Sequence, residues 1–259
     1  MDLHQLVTET AAAFYRMAFA FALLTALELM LPKGESPAAG RLKGLLFWML
    51  WLPATTAVFG IFSAIWNYAG VQPLIHVPLG FSWTGVAAYI LGPLAGAIVT
   101  DFFFYWFHRG QHAFFWRFHA VHHSIRDMNA VNSFHHITES VMSILLFVIP
   151  SSLIVADTGP ILPAIAAALL IYPILLHSPT RFNFGPFRVI FADNRFHRIH
   201  HSLEQRHFDK NFGAFTTIWD RLFGTAYFPE KDEWPDTGID GVDQPRNVRD
   251  WLLLPARVR

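Results

Sequence analysis

Residues 11–31 read AAAFYRMAFAFALLTALELML, and 44–66 and 84–107 are runs of the same kind. About 20 consecutive apolar residues in helical form cross a bilayer core. Backbone groups inside lipid must be satisfied within the chain itself, so three such runs demand helices. A fourth apolar region, 141–176, is interrupted by Asp157, Gly159 and Pro160. It is expected to form two short segments in a tilted or re-entrant hairpin. The implied fold is all-α and integral to the membrane. It has about four transmembrane helices plus a short hairpin-type pair, under a helical, histidine-rich cap. The N-terminus carries no basic n-region and no small-residue cleavage site, so its first run is expected to stay in the bilayer. Arg16 and Glu28 near its ends are expected to snorkel, and Pro53 to kink the second span.

Composition agrees. Hydrophobic residues make up 53% and charged residues 15%, against about 25% charged in soluble domains. The net charge is zero and no long basic run is present, which argues against nucleic acid as a partner. Cysteine is absent, excluding disulfides, thiolate nucleophiles and cysteine-held metal.

Loop charge sets a topology. The 32–43 loop holds Lys33, Arg41 and Lys43, whereas 67–83 holds no charge. By the positive-inside rule the first faces the cytoplasm. Residues 108–140 and the tail from 177 then face the cytoplasm too. The organisation is an N-terminal membrane part, 1–107, and a region 108–259 that includes the hairpin, working as one unit.

Into these two cytoplasmic segments fall most of the 14 histidines. His108 and His112 are spaced i, i+4. His119, His122 and His123 are spaced i, i+3, i+4, and His197, His200 and His201 repeat that pattern. On a helix these spacings put imidazoles on one face, where they can converge on an ion that accepts neutral imidazole. A single straight helix over 108–123 would separate His108 and His119 by roughly 16 Å along its axis. The chain must therefore turn near AFFWRF, between His112 and His119. His136 and His177 bring the candidate ligands to ten. That is too many for one ion, since zinc sites take about three or four protein ligands, and it fits a two-metal centre.

Asp101 lies seven residues before His108, two turns up the same helix face, and is a candidate to orient a ligand. Glu139 and Asp209 are further candidates, and Glu139 is also a possible direct ligand. His135 neighbours His136, and spacing does not say which points inward. His207 reads as a surface residue. His4 and His76 read as ordinary interfacial polar residues. The stripe Phe102–Phe107 reads as lipid-facing or packing surface.

The three boxes HRGQH, HAVHH and HRIHH, with the flanking DFFFYWFHR and NFGAFTTIWDRLFGT, resemble the fatty acid hydroxylase / sterol desaturase superfamily over about 90–228. The resemblance implies two iron ions on the cytoplasmic face of a membrane anchor, with O2 as co-substrate. It also implies hydroxylation or desaturation of a lipid of sterol, fatty-acyl, ether-lipid or carotenoid type. His136 and His177 match positions of extra ligands in the sterol-oxidase-like branch. Pro173, four residues before His177, departs from the fatty acid 2-hydroxylase pattern. With no haem domain and no GxGxxG fingerprint in the chain, electrons are expected from a separate donor of cytochrome b5, ferredoxin or reductase type. Arg195, Arg198 and Arg206 are candidates for its docking. The competing readings are a membrane metallohydrolase, for which no H-E-x-x-H and no general base is present, and a non-enzymatic metal- or haem-binding membrane protein. The latter is disfavoured because the histidines crowd one face rather than mid-span.

Overall fold

In the computed structural model, residues 2–78, 86–157 and 161–258 are described. Three long helices carry the membrane part: α1 (Leu3–Met30), α2 (Ala38–Tyr68) and α3 (Val86–Phe114). Among the described residues these three are long and apolar enough to cross a membrane. α1 begins in a capping box in which Asp2 accepts from the Gln5 amide and the Gln5 side chain answers the Asp2 amide, satisfying two orphan donors. α2 carries Pro53 inside its span. α1 and α2 pack through Phe21, Leu24, Trp48 and Leu52, with the Phe21 and Trp48 rings 5.6 Å apart.

Glu28 does not snorkel. It is buried, and its carboxylate pairs with Arg41 of α2 and accepts the Ala130 amide at 2.8 Å. A buried carboxylate holds only when paired and hydrogen-bonded, and here the pairing ties the first two helices to the loop behind the histidines. Gly44 explains how that loop comes so close. A Cβ there would lie 2.3 Å from the Val131 carbonyl oxygen, so only glycine fits.

The 141–176 region runs as α5 (Glu139–Ser143), one π turn (Ile144–Val148) and α6 (Ile149–Ser152), then strand β2 (Ile154–Asp157) and helix α7 (Pro163–Leu175). Gly159 and Pro160, expected at its tip, lie outside the described residues. Strand β1 (Ile75–Pro78), between α2 and α3, pairs in parallel with β2 (Ile154–Asp157), in the register Ile75↔Ile154. This short tie is the departure from an all-helical chain. It joins the α2–α3 connection to the far end of the hairpin, at the end of the bundle opposite the histidines.

Helix α3 stops at Phe114, Phe115 leaves helical geometry, and α4 (Trp116–His123) starts again. The break falls inside AFFWRF. α8 (Asn194–His200) is capped by Asp193, which accepts the Phe196 amide. Short α9 (Ile218–Leu222) lies against α3, and α10 (Val248–Arg257) packs on α4 through Trp251 and Leu254. Trp251 Nε1 donates to the His135 carbonyl at 2.8 Å.

Candidate metal centre

Nine histidines form two groups. Within each group, one nitrogen per ring lies within 4.8 Å of every other. The first holds His108, His112, His119, His123 and His200, and the second His122, His177, His197 and His201. Helix α3 delivers His108 and His112 as its last two turns leave the apolar run. The break at Phe115 folds α4 back, so that His108 Nε2 and His119 Nε2 are 3.1 Å apart and His112 Nε2 and His123 Nε2 are 3.2 Å apart. α8 supplies His197 and His200, with His201 at its end. His177 follows α7.

Four of the nine rings have their Nδ1 held by a backbone carbonyl. His108 Nδ1 donates to the Phe212 carbonyl at 2.8 Å and His200 Nδ1 to the Lys210 carbonyl at 2.8 Å. His122 Nδ1 donates to the Phe134 carbonyl at 3.1 Å and His177 Nδ1 to the Pro173 carbonyl at 2.9 Å. A carbonyl only accepts, so each Nδ1 carries the proton and each neutral ring presents a bare Nε2. His122 Nε2 and His177 Nε2 then face each other at 3.1 Å with no proton between them. His200 Nε2 is buried with no hydrogen-bond partner among the described residues. Two facing lone pairs in a buried site repel unless a cation lies between them. Ligands about 2.1 Å from an ion and at right angles are about 3.0 Å apart, close to what is found. Five histidines exceed the four of tetrahedral zinc, so the first group suits an ion of higher coordination number.

Burial, and then the neighbouring imidazoles, hold His119, His122, His123, His200 and His201 well below the usual histidine range. His197 is depressed in the same way, and burial brings His177 down to about 4. All are neutral at physiological pH, the state in which an imidazole can ligate a metal.

His136 stands outside both groups. Its Nδ1 lies 2.9 Å from Thr138 Oγ1 and its ring is 5.9 Å from Trp251. Its neighbour His135 turns inward instead and stacks on His122 at 3.9 Å. With Glu139 and His119 it forms a further cluster. Glu139 is buried, accepts from Gln111 Nε2 at 2.8 Å and lies 3.6 Å from His135 Nδ1. Gln111 carries no sequence signal beyond being a polar residue one helical turn from His108.

Asp209 accepts from His112 Nδ1 at 3.2 Å, where sequence reasoning placed an orienting carboxylate. Its backbone, like that of Asn211, takes a positive φ, 56° and 61°, conformations most non-glycine residues avoid. Asp101 is aimed elsewhere. It accepts the amides of Ala214, Phe215 and Thr216 at 2.9–3.0 Å and so acts on the loop whose Phe212 carbonyl holds His108. Asp220 completes that loop, accepting the Phe212 and Gly213 amides at 2.8 and 2.7 Å.

His207 is not on the surface. It is fully buried between Ser202 Oγ and Glu233. The three arginines considered for donor docking are engaged internally: Arg198 stacks on Trp234, Arg195 donates to the Glu230 and Lys231 carbonyls, and Arg206 pairs with Glu204 and Glu233.

Two cavities approach the groups. An apolar one of about 610 Å³ runs between α3, α6 and α7, lined by residues including Ala97, Phe104, Phe147, Leu169 and Pro173. Phe104 packs on the His108 ring and Pro173 bonds His177, so this groove ends against both groups. A second, of about 390 Å³, reaches His112, His123 and His200 from the cap side.

A family model for fatty acid hydroxylases matches residues 93–225, half of the chain and all three boxes. The chain belongs to the fatty acid hydroxylase family. It is 35% identical to ornithine lipid hydroxylase OlsE of Rhizobium tropici over 150 residues, 56% of this chain and 45% of that protein. It is 30% identical over 158 residues to alkylglycerol monooxygenase of Homo sapiens, 59% of this chain and 32% of the relative. Against very-long-chain aldehyde decarbonylase GL1-6 of Oryza sativa the identity is 25% over 204 residues, 73% and 30% of the two chains. The matches span less than half the length of these relatives. No solved structure gives a significant match.

Proposed function

We propose that this chain is an O2-dependent di-iron oxidoreductase of the membrane that hydroxylates or desaturates the hydrocarbon chain of a lipid. The observation that carries the reading is the convergence of bare Nε2 atoms in two groups at the end of an apolar groove. The relatives named as lipid hydroxylase and monooxygenase support the same chemistry.

His108, His112, His119, His123 and His200 would hold one iron, and His122, His177, His197 and His201 the other. When bound, the pair would supply activation of O2 and removal of hydrogen from an unactivated C–H bond. The protein's own part is positioning. Phe104, Phe147 and Leu169 hold a hydrocarbon chain against the histidines and exclude water from it. Carbonyls of Phe212, Lys210, Phe134 and Pro173 fix the ring tautomers and orientations. Gln111, His135 and Glu139 form a polar wall beside His119. In this reading the histidine boxes face the cytoplasm, 1–107 anchors 108–259, and electrons come from a separate donor protein.

The test is metal analysis of detergent-purified protein with lipid mass spectrometry of a host with and without the chain. About two irons per chain and a lipid that gains one oxygen or loses two hydrogens are expected. The lipid product should vanish or fall sharply in His200→Ala. Well under one iron per chain with an unchanged lipid profile overturns the reading.

A further inference from the structure

Segment 181–191 and helix α9 form one clamped unit. Thr217 Oγ1 donates to the Val189 carbonyl at 2.7 Å, Thr216 Oγ1 to the Ile190 carbonyl at 2.6 Å, and Arg221 to the Val189 carbonyl at 3.1 Å. The unit is fixed to α3 at a definite depth. Trp219 Nε1 donates to the Ile98 carbonyl at 3.0 Å, Phe102 and Trp219 pack at 5.0 Å, and Asp101 accepts the amides of 214–216. At 1.5 Å per residue, residue 101 lies about 10 Å below His108 along α3.

Two features put that depth close to the edge of the hydrocarbon. First, a helix the length of α3 extends about 40 Å, more than the roughly 30 Å of a bilayer core, and its apolar run stops at Phe107, so the histidine end projects beyond the core. Second, the apolar run of α1 ends at Leu31, and there the Leu31 carbonyl accepts from the Arg181 amide at 2.7 Å and Thr180 Oγ1 at 2.9 Å.

At this level the unit presents bulky apolar groups outward. Phe187 is 64% exposed and Leu222 66%, and Phe182, Val189 and Ile190 are exposed beside them. Arg181 and Arg221 are exposed among them and Arg188 is half-buried. The acidic residues of 181–193 and 213–225 are Asp193 and Asp220, both buried. Apolar side chains interleaved with uncompensated arginines, lying in the plane of the interface, match a headgroup layer of negative charge. The unit also borders the groove, since Tyr172 and Phe215 line it and Tyr172 stacks on Phe184 at 5.7 Å.

We propose that residues 181–191 with Arg221 and Leu222 form an interfacial collar that binds anionic phospholipid headgroups at the rim of the apolar groove. Phe187, Ile190 and Leu222 enter the acyl boundary while Arg181, Arg188 and Arg221 hold the phosphates. The proposal rests on the membrane-spanning reading of α1 and α3.

The chain has no cysteine, so single cysteines carry unique nitroxide labels. Labels at Phe187→Cys and, as a mid-span reference, at Leu23→Cys in α1 are compared for access to O2 and to a water-soluble nickel chelate. The whole protein is used, in phosphatidylcholine nanodiscs with or without phosphatidylglycerol. The label at 187 should report shallow immersion and the one at 23 deep immersion. Spin-labelled phosphatidylglycerol should be held over phosphatidylcholine by roughly fivefold or more at low salt. The preference should fall toward parity in R181Q/R188Q/R221Q and partway in R181Q/R188Q, which keeps the Arg221–Val189 bond. A water-exposed label at 187 with an immersed label at 23 overturns the collar alone. Two water-exposed labels overturn the membrane reading beneath it. Equal retention of the two lipids, or a preference unchanged in both variants, overturns the headgroup site.

Discussion

The two histidine groups are built from the same boxes used in opposite ways. In HAVHH the i and i+4 rings, His119 and His123, join the five-histidine group, and the i+3 ring, His122, joins the four-histidine group. In HRIHH the assignment is reversed: His197 and His201 serve the second group and His200 the first. A helix puts i and i+4 nearly above each other and turns i+3 aside, so each box straddles two centres. The groups differ in redundancy and in their orienting partners. The first has five rings and a carboxylate, Asp209, on His112. The second has four rings, and the partners found for its Nδ1 atoms are backbone carbonyls.

The sharpest way to break this comparison is to remove the crossing ring of each box. His122→Ala leaves the second group three ligands, whereas His200→Ala leaves the first four. Both should lower activity by about a hundredfold or more, because a single lost ligand disorders a centre held by converging imidazoles. Iron content separates them: His122→Ala should retain about one iron per chain, and His200→Ala should retain more. Equal losses would show that the groups fill as one.

Asp209→Asn comes next. It weakens the charge-assisted bond to His112 and is expected to cost about 10- to 100-fold in iron affinity or activity. The loss should be confined to the first group, visible as one fast-released ion in a chelator challenge. The second group offers no known counterpart to substitute, because its identified orienters are main chain.

The smallest effect is on the stability of the metal-free protein against pH. His119, His122, His123, His197, His200 and His201 are depressed in the folded state, so the unfolded chain binds more protons below its value of 6.5. The contribution of these six rings is then level above pH 6.5 and falls as pH drops below it, outweighing the opposite contribution of Glu139, whose carboxyl is pushed up to about 7 by burial. Thermal melts of the iron-stripped protein between pH 8 and pH 5 read this directly. Iron should flatten the upper part of the curve, since protons and metal compete for the same nitrogens. A stability that rises on acidification would contradict the neutral rings on which both groups depend.

Much of this was legible in the chain. Apolar run length located α1, α2 and α3, because backbone satisfaction in lipid is a local demand. The break at Phe115 followed from distance alone: a straight helix keeps His108 and His119 too far apart. Asp209 was reachable because ligating histidines need an acceptor. Other features depend on the tertiary arrangement. Whether His135 or His136 points inward is set by Trp251 of α10, more than 100 residues away, which holds the His135 carbonyl. His207 looked solvated because its neighbours are polar, yet Glu233 and Ser202 enclose it. Asp101 shares a helix face with His108, but the nearest donors are amides of a loop 113 residues later. Spacing records which side chains share a face and not what is packed against it.

Helix α4 has eight residues and sends rings to both groups. Nothing that tilts or shifts it can disturb one group and spare the other. A packing defect at Trp251 or Leu254, on the helix behind it, therefore reaches both centres through a single rigid body, without touching a ligand.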